Sequence, residues 1–175
     1  DLVNDLSNLL NRTVSMANIY FDGNIPEFNG NKNDVDEEYR DEAKQTIIDF
    51  DAKIENCEFA DALQIIWNFI SRSNKYIDET KPWELAKDES RKDELKSVIY
   101  HLIAGLRHIA VLINPLLGET SKEILRQIGN NEEISWDTLL EFEKMPTTKV
   151  IEKGEPIFMR LVEADEIEYI KNLMK

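Results

Sequence analysis

Residues 98–113 read Val98-Ile-Tyr-His-Leu-Ile-Ala-Gly-Leu-Arg-His-Ile-Ala-Val-Leu-Ile113. Only His101, Arg107 and His108 interrupt the apolar side chains, and they leave no polar face of ordinary width. A helix that is apolar nearly all round is the buried centre of a helical protein. The run falls short of the ~20 residues that cross a bilayer, so no membrane span is expected. Ser90 is placed to cap this helix, and Pro115 to end it or to begin the next.

Working outward, the flanking segments carry one apolar face each. In 1–21, Leu2, Leu6, Leu9, Leu10, Thr13, Met16, Ala17 and Tyr20 recur at three- and four-residue steps, and Asp22-Gly23 stops the pattern. A second helix is predicted over Val35–Lys53, with Tyr39, Ala43, Ile47 and Phe50 on one face. Asn56 or Cys57 opens a third, from Glu58 to Ile77. Pro82 suits the first turn of a short helix ending at Lys87. Beyond Pro115 a helix runs to about Ile128 and stops at Gly129-Asn130, and a short turn follows at Ser135–Glu141. Thr148–Leu161, with Gly154, Pro156 and β-branched residues, reads as extended chain before a final helix from Ala164. The prediction is an all-α antiparallel bundle of about five helices over 1–145, then an extended linker and helix over 146–175.

The 175 residues suit one domain with an extension and can bury a real core. A single cysteine, Cys57, excludes an internal disulfide and a cysteine-built zinc site, and suggests a reducing, cytoplasmic setting. No basic-then-apolar leader opens the chain. It starts without Met inside a helical pattern and ends without an obvious stop, so both ends are expected to continue into a longer protein. The net charge of −14 argues against a generic nucleic-acid binder. Its distribution weakens that argument. Leu6–Phe21, Ala62–Ile77 and Leu95–Gly118 hold no acid, and five basic residues: Arg12, Arg72, Lys75, Lys96 and Arg107.

Catalytic templates are absent: no Gly-rich phosphate loop, no His-Glu-x-x-His, no Gly-x-Ser-x-Gly. His101 and His108 sit on a helix without carboxylates and read as packing residues. Acidic runs such as Asp36-Glu37-Glu38 read as solvated faces. More informative is the polar side of the first helix, where Asn4, Asn8, Asn11, Arg12, Ser15 and Asn18 form a stripe opposite the leucines. Asparagine costs a helix roughly 0.5 kcal/mol relative to alanine, so four on one face invite a reason. Amide and guanidinium groups suit the edges of unstacked RNA bases. With 15 asparagines in the chain, composition alone is a sufficient source of the stripe. Lys81-Pro82-Trp83 offers a second feature. An indole on a connection either stacks on a base, worth ~1–3 kcal/mol, or pins the connector to the bundle. Trp67 reads as core and Trp136 as a packing anchor.

Three stretches together resemble one family. Asp1-Leu-Val-Asn-Asp-Leu-Ser-Asn-Leu-Leu-Asn-Arg12 with Phe21-Asp22-Gly23 resembles the first helix of the anticodon-binding domain of methionyl-tRNA synthetases. So does Asn74-Lys-Tyr-Ile-Asp-Glu-Thr-Lys-Pro-Trp83-Glu-Leu-Ala-Lys87. Lys153-Gly-Glu-Pro-Ile-Phe-Met-Arg-Leu161 resembles the peptide that follows the helices and leads back to the catalytic domain. The resemblance implies the helical anticodon-binding type of class I synthetases. It implies that Asn8 and Arg12 hydrogen-bond bases of a CAU anticodon in the methionine tRNA, that Trp83 stacks on the first base, and that Pro82 shapes the turn. The parent ligase uses ATP. This chain lacks the family's His-Ile-Gly-His-type and Lys-Met-Ser-Lys-Ser-type signatures and any zinc knuckle, so it is expected to need no cofactor, to catalyse nothing alone, and to partner the tRNA and a catalytic domain. Two other readings stand beside it: a helical protein-interaction domain, and, less favoured for want of ligands, a metal- or cofactor-binding bundle.

Overall fold

A computed structural model describes residues 2–130, 136, 139, 142, 145, 148–152, 154, 156–158 and 163–173. Helix α1 (Leu2–Phe21) buries Leu6, Leu9, Leu10, Thr13 and Ala17 of the predicted apolar face, and Val14 beside them. Asp22 and Gly23 end it with φ of 52° and 77°, the left-handed turn that lets the chain reverse. Helix α2 (Asp34–Glu55) is capped by Asn33, whose Oδ1 accepts from the Asp36 amide at 2.8 Å. Three acids in its first turn favour the positive end of the helix dipole.

Helix α3 (Phe59–Thr80) starts later than the sequence suggested, because Asn56 closes α2 and Cys57 takes a left-handed φ of 58°. Lys81, also left-handed, joins α3 to the single turn α4 (Pro82–Leu85). Ser90 does not cap the next helix. Asp88 caps a 3-10 turn at Glu89–Arg91, accepting from Ser90 N at 3.0 Å, and that turn leads into α5 (Lys92–Ile113), which follows Arg91 with no side-chain cap. Then come α6 (Gly118–Gln127) and α7 (Glu163–Leu173).

The central helix is buried as expected: every residue from Ser97 to Ala110 lies inside. Counted with its lead-in, Glu89–Ile113 is long and apolar enough to cross a bilayer. Its most apolar window is 94% buried by the other helices, so that apolarity is spent on the core. Successive long helices run antiparallel. The exception to nearest-neighbour order is α1, which packs on α3 in parallel: Asn74 Nδ2 donates to the Asp5 carbonyl, and two turns further along α1 and one along α3 Arg12 pairs with Asp78.

At the core of α2, α3 and α5, the Tyr39 ring stacks against Tyr76 (4.5 Å) and Phe69 (5.3 Å). Its hydroxyl lies 2.8 Å from Ser73 Oγ and directly over Gly105, where no Cβ has room. Nearby the buried Asp36 carboxylate accepts from Tyr76 Oη (2.6 Å), Ser97 Oγ (2.7 Å) and Lys32 N (2.9 Å). A buried carboxylate is tolerable because those three donors replace its water. Burial, reinforced by the Asp36 charge, pushes the Tyr76 phenol far above its ordinary range.

His101 and His108 are core residues. His101 Nδ1 meets the Ser97 carbonyl at 2.6 Å, and His108 meets the Ala104 and Leu139 carbonyls at 2.8 Å each. Burial lowers both pKa values against the opposing pull of those carbonyls. Among the described residues, no group of three His, Cys, Asp or Glu is placed to share a metal ion.

Candidate RNA-binding face

The exposed side of α1 and the α3–α4 corner form the site. Asn8 and Arg12, four residues apart, project from the same side of α1. Arg12 Nη2 donates to Asp78 Oδ1 at 2.9 Å, and the two side chains are 38% and 65% exposed. A pair so wet contributes at most about 1 kcal/mol, so the guanidinium is steered and remains available. On one side of Arg12 lies a polar recess of about 460 Å³, with Asn8, Asp5, Asn74, Lys75 and Asp78 around it. On the other lies an apolar-floored recess of about 420 Å³, with Met16 and Ile77 below, Tyr20 and Trp83 as walls, and Asn11 and Ser15 on the rim. Arg12 borders both.

Pro82 and Trp83 take different parts. Pro82 is buried at the first position of α4, where its fixed φ suits the helix start and its missing N–H costs nothing. With Leu85 it anchors the turn, leaving Trp83 40% exposed. Trp83 therefore presents a surface while still touching the bundle, so neither reading of the connector is complete by itself.

The asparagine stripe divides. Asn18 Nδ2 donates to the carbonyls of Val14 (2.9 Å) and Ile151 (2.8 Å). Asn11 faces Gly154, where a Cβ would come within 2.7 Å of its Oδ1. Asn18 thus holds the extended segment that returns along α1, and Asn11 lies against it. Lys149 pairs with Asn24 in an antiparallel bridge, Val150 N donates to Gly23 O, and Ile151 N donates to Gln127 O. Asn8 and Ser15 stay exposed. The side chain of Asn4 lies outside the described residues. Asp78, Tyr20 and Met16 were missed from sequence; the usable signal was Asn74 and Asp78, four apart on α3 inside the stretch that ends in Pro-Trp.

Residues 36–175 match the family described as the anticodon-binding domain of tRNA ligase. The chain belongs to that family. The methionine–tRNA ligase of Bacillus subtilis (strain 168) is 47% identical over 177 residues, taking in 100% of this chain and 26% of the relative. That of Streptococcus pneumoniae serotype 4 is 47% identical over 175 residues, again 100% and 26%. The apo, free-state crystal structure of Mycobacterium tuberculosis methionyl-tRNA synthetase matches with a TM-score of 0.83 at 26% identity, over 93% of this chain and 33% of that one. The chain thus spans about a quarter of the curated relatives it matches. Trp83 falls inside the family match and Asn8 and Arg12 precede it, but the two ligase alignments take in all three. In this anticodon-binding domain, the acid-free stretches recognised from sequence make up most of α1, α3 and α5.

Proposed function

We propose that this anticodon-binding domain reads the CAU anticodon of methionine tRNA as part of a methionine–tRNA ligase, working in the cytoplasm. The observation that carries the proposal is the position of Arg12 between the two recesses, beside Asn8 in one and Trp83 in the other. One unstacked base lies on the Trp83 indole, a platform indifferent to base identity. Asn8 and Arg12 meet the edges of neighbouring bases, where donor and acceptor patterns differ, and so supply the discrimination. Methionine activation with ATP belongs to the part of the ligase outside this chain. The acidity of the domain leaves few cations for phosphates, so affinity for RNA comes chiefly from bases.

The test is a titration of the chain with anticodon stem-loops carrying CAU and each single-base variant. CAU binds at least about fivefold tighter than the variants if one base-edge interaction of about 1–3 kcal/mol, the size known for DNA, is at work. Equal binding of all stem-loops sinks the proposal.

A further inference from the structure

Lys81 is the single residue between α3 and α4, and its backbone is left-handed, with φ 47° and ψ 62°. Its amide donates to Ile77 O at 3.0 Å, and its carbonyl accepts from the Glu84 amide at 2.8 Å. The main chain thus makes the corner by itself. An L side chain in that conformation costs about 1–2 kcal/mol, and glycine is the usual occupant of such a helix end. As a turn, the corner has no use for a lysine. The side chain is exposed, and among the described residues its ammonium has no hydrogen-bond or ion-pair partner. The cations around it do have one: Arg12 is paired with Asp78, Lys75 with Glu79 and Lys87 with Glu84. Asn74–Lys87 carries three acids (Asp78, Glu79 and Glu84) against three lysines, so this segment is neutral in a chain of charge −14. Trp83 follows two residues later, 40% exposed, and across two trans peptide steps the two Cα atoms stand at most about 7 Å apart.

We propose that the Lys81 ammonium holds a backbone phosphate of the RNA strand whose base lies on Trp83. This rests on the assignment of the face to RNA, and adds to its base contacts a hold on the strand itself. A base on the indole brings its own phosphates close to the corner, and a lysine is a point charge on a flexible stem that needs no fixed approach geometry. Its neighbours Arg12, Lys75 and Lys87 have first to release a carboxylate before they can do the same. The charge of Lys81 also offsets Asp78, Glu79 and Glu84, which by themselves repel a polyanion. Because it falls on a phosphate, the contact strengthens binding without regard to the triplet.

The experiment measures the affinity of the full-length ligase that carries this chain for anticodon stem-loops with CAU and single-base variants, over a range of salt. One phosphate contact to a single strand contributes about 0.7 to the slope of log affinity against log salt. Lys81→Gly is expected to flatten that slope by this amount. Binding then weakens about eightfold at ~0.05 M salt and about threefold at ~0.2 M, by the same factor for every triplet. Lys81→Arg keeps the charge and is expected to keep both affinity and slope. A neutral methylphosphonate, placed at each loop position in turn, is expected to erase the difference between the unmodified ligase and Lys81→Gly at one position, next to the first anticodon base. Glycine also relieves the left-handed backbone, so hydrogen exchange at the Glu84 and Leu85 amides, both bonded to Lys81 O, is expected to be no faster. An unchanged slope in Lys81→Gly overturns the proposal. So does a loss confined to CAU, a loss shared by Lys81→Arg, faster exchange at the corner, or a difference that no methylphosphonate erases. Equal binding of all triplets by the unmodified ligase removes the anticodon assignment, while the slope, read on any triplet, decides the role of Lys81.

Discussion

Gly105→Ala is the sharpest test of the packing. Gly105 lies in the middle of α5, where replacing glycine by alanine ordinarily stabilises a helix by about 1 kcal/mol. Here a Cβ would stand 2.0 Å from Tyr39 Oη and 3.0 Å from Tyr39 Cζ. Real Cβ contacts do not fall below 3.0 Å, so the hydroxyl must retreat by about 1 Å or more. It has nowhere to go. The ring is fully buried and stacked on Tyr76 and Phe69. Ser73 Oγ already donates to the Phe69 carbonyl, so the Tyr39 hydroxyl is the donor in their 2.8 Å bond.

Forcing a methyl into a filled core costs about 1–3 kcal/mol, and stranding a buried hydroxyl another 1–3 kcal/mol. Set against the propensity gain, a net loss of roughly 1–5 kcal/mol is expected. Urea unfolding of the chain followed at 222 nm measures it. Tyr39→Phe removes the clashing oxygen, so Gly105→Ala in that background should cost at least about 1 kcal/mol less than it does alone, a coupling typical of residues in contact. Unchanged or increased stability of Gly105→Ala, or no relief from Tyr39→Phe, refutes the reasoning.

Other expectations follow from the same contacts. Arg12→Ala should weaken CAU discrimination, and Trp83→Ala the affinity for tRNA whatever its anticodon, each about fivefold or more, measured as aminoacylation at limiting tRNA in the full-length ligase, with methionine activation unchanged. Lys122→Ala, which removes only an exposed pair with Glu119, is the control, and a Trp83 effect no larger than its effect would leave Trp83 a packing residue. Leu102→Ala, at a fully buried site, should cost about 2–5 kcal/mol in urea unfolding. Asn18→Ala should speed hydrogen exchange at the Val150 and Ile151 amides by loosening the returning segment, with α3 unaffected. Burial lowers the pKa of both histidines, so on acidification the unfolded chain takes up protons first. Their contribution to stability is complete above the ordinary histidine value near 6.5 and declines as pH falls below it, by at most about 1.4 kcal/mol per pH unit for each. His108→Gln should flatten that decline in urea titrations between pH 7.5 and 5.5.

How much was legible in the sequence depends on what kind of contact each residue makes. Helix faces were legible because periodicity records which side of a helix meets the core. Tyr39, Ala43, Ile47 and Phe50 lie inward on α2 as predicted, and residues 97–110 are buried throughout. Helix ends were less so. Ser90 had the chemistry of a cap, but its amide is taken by Asp88 in a 3-10 turn and α5 starts behind Arg91 with no side-chain cap. The fit of Tyr39 over Gly105, sixty-six positions away, leaves no trace in a single sequence beyond a glycine in a helix.

The site shows the same limit from the functional side. Spacing placed Asn8, Asn11, Arg12, Ser15 and Asn18 on one face of α1, and they do share it. Spacing had no means of showing that a segment more than 130 residues later would lie along part of that face and engage Asn18 through its amide. A polar stripe on a helix is therefore two possible things at once, a surface for a ligand and a surface for distant chain. Only the tertiary structure separates them. Asn18 carries the second role, Asn11 lies between the returning segment and the Trp83 recess, and Asn8, Arg12 and Ser15 are left for the first. Trp83 joined them in the sequence reading through resemblance alone. Its nearness to Arg12 follows from the parallel packing of α1 on α3, which brings the C-terminal halves of both helices, and hence α4, to one end of the bundle. That arrangement accounts for how an acidic domain can gather the proposed base-reading residues: they lie where the acid-free stretches of α1 and α3 run side by side.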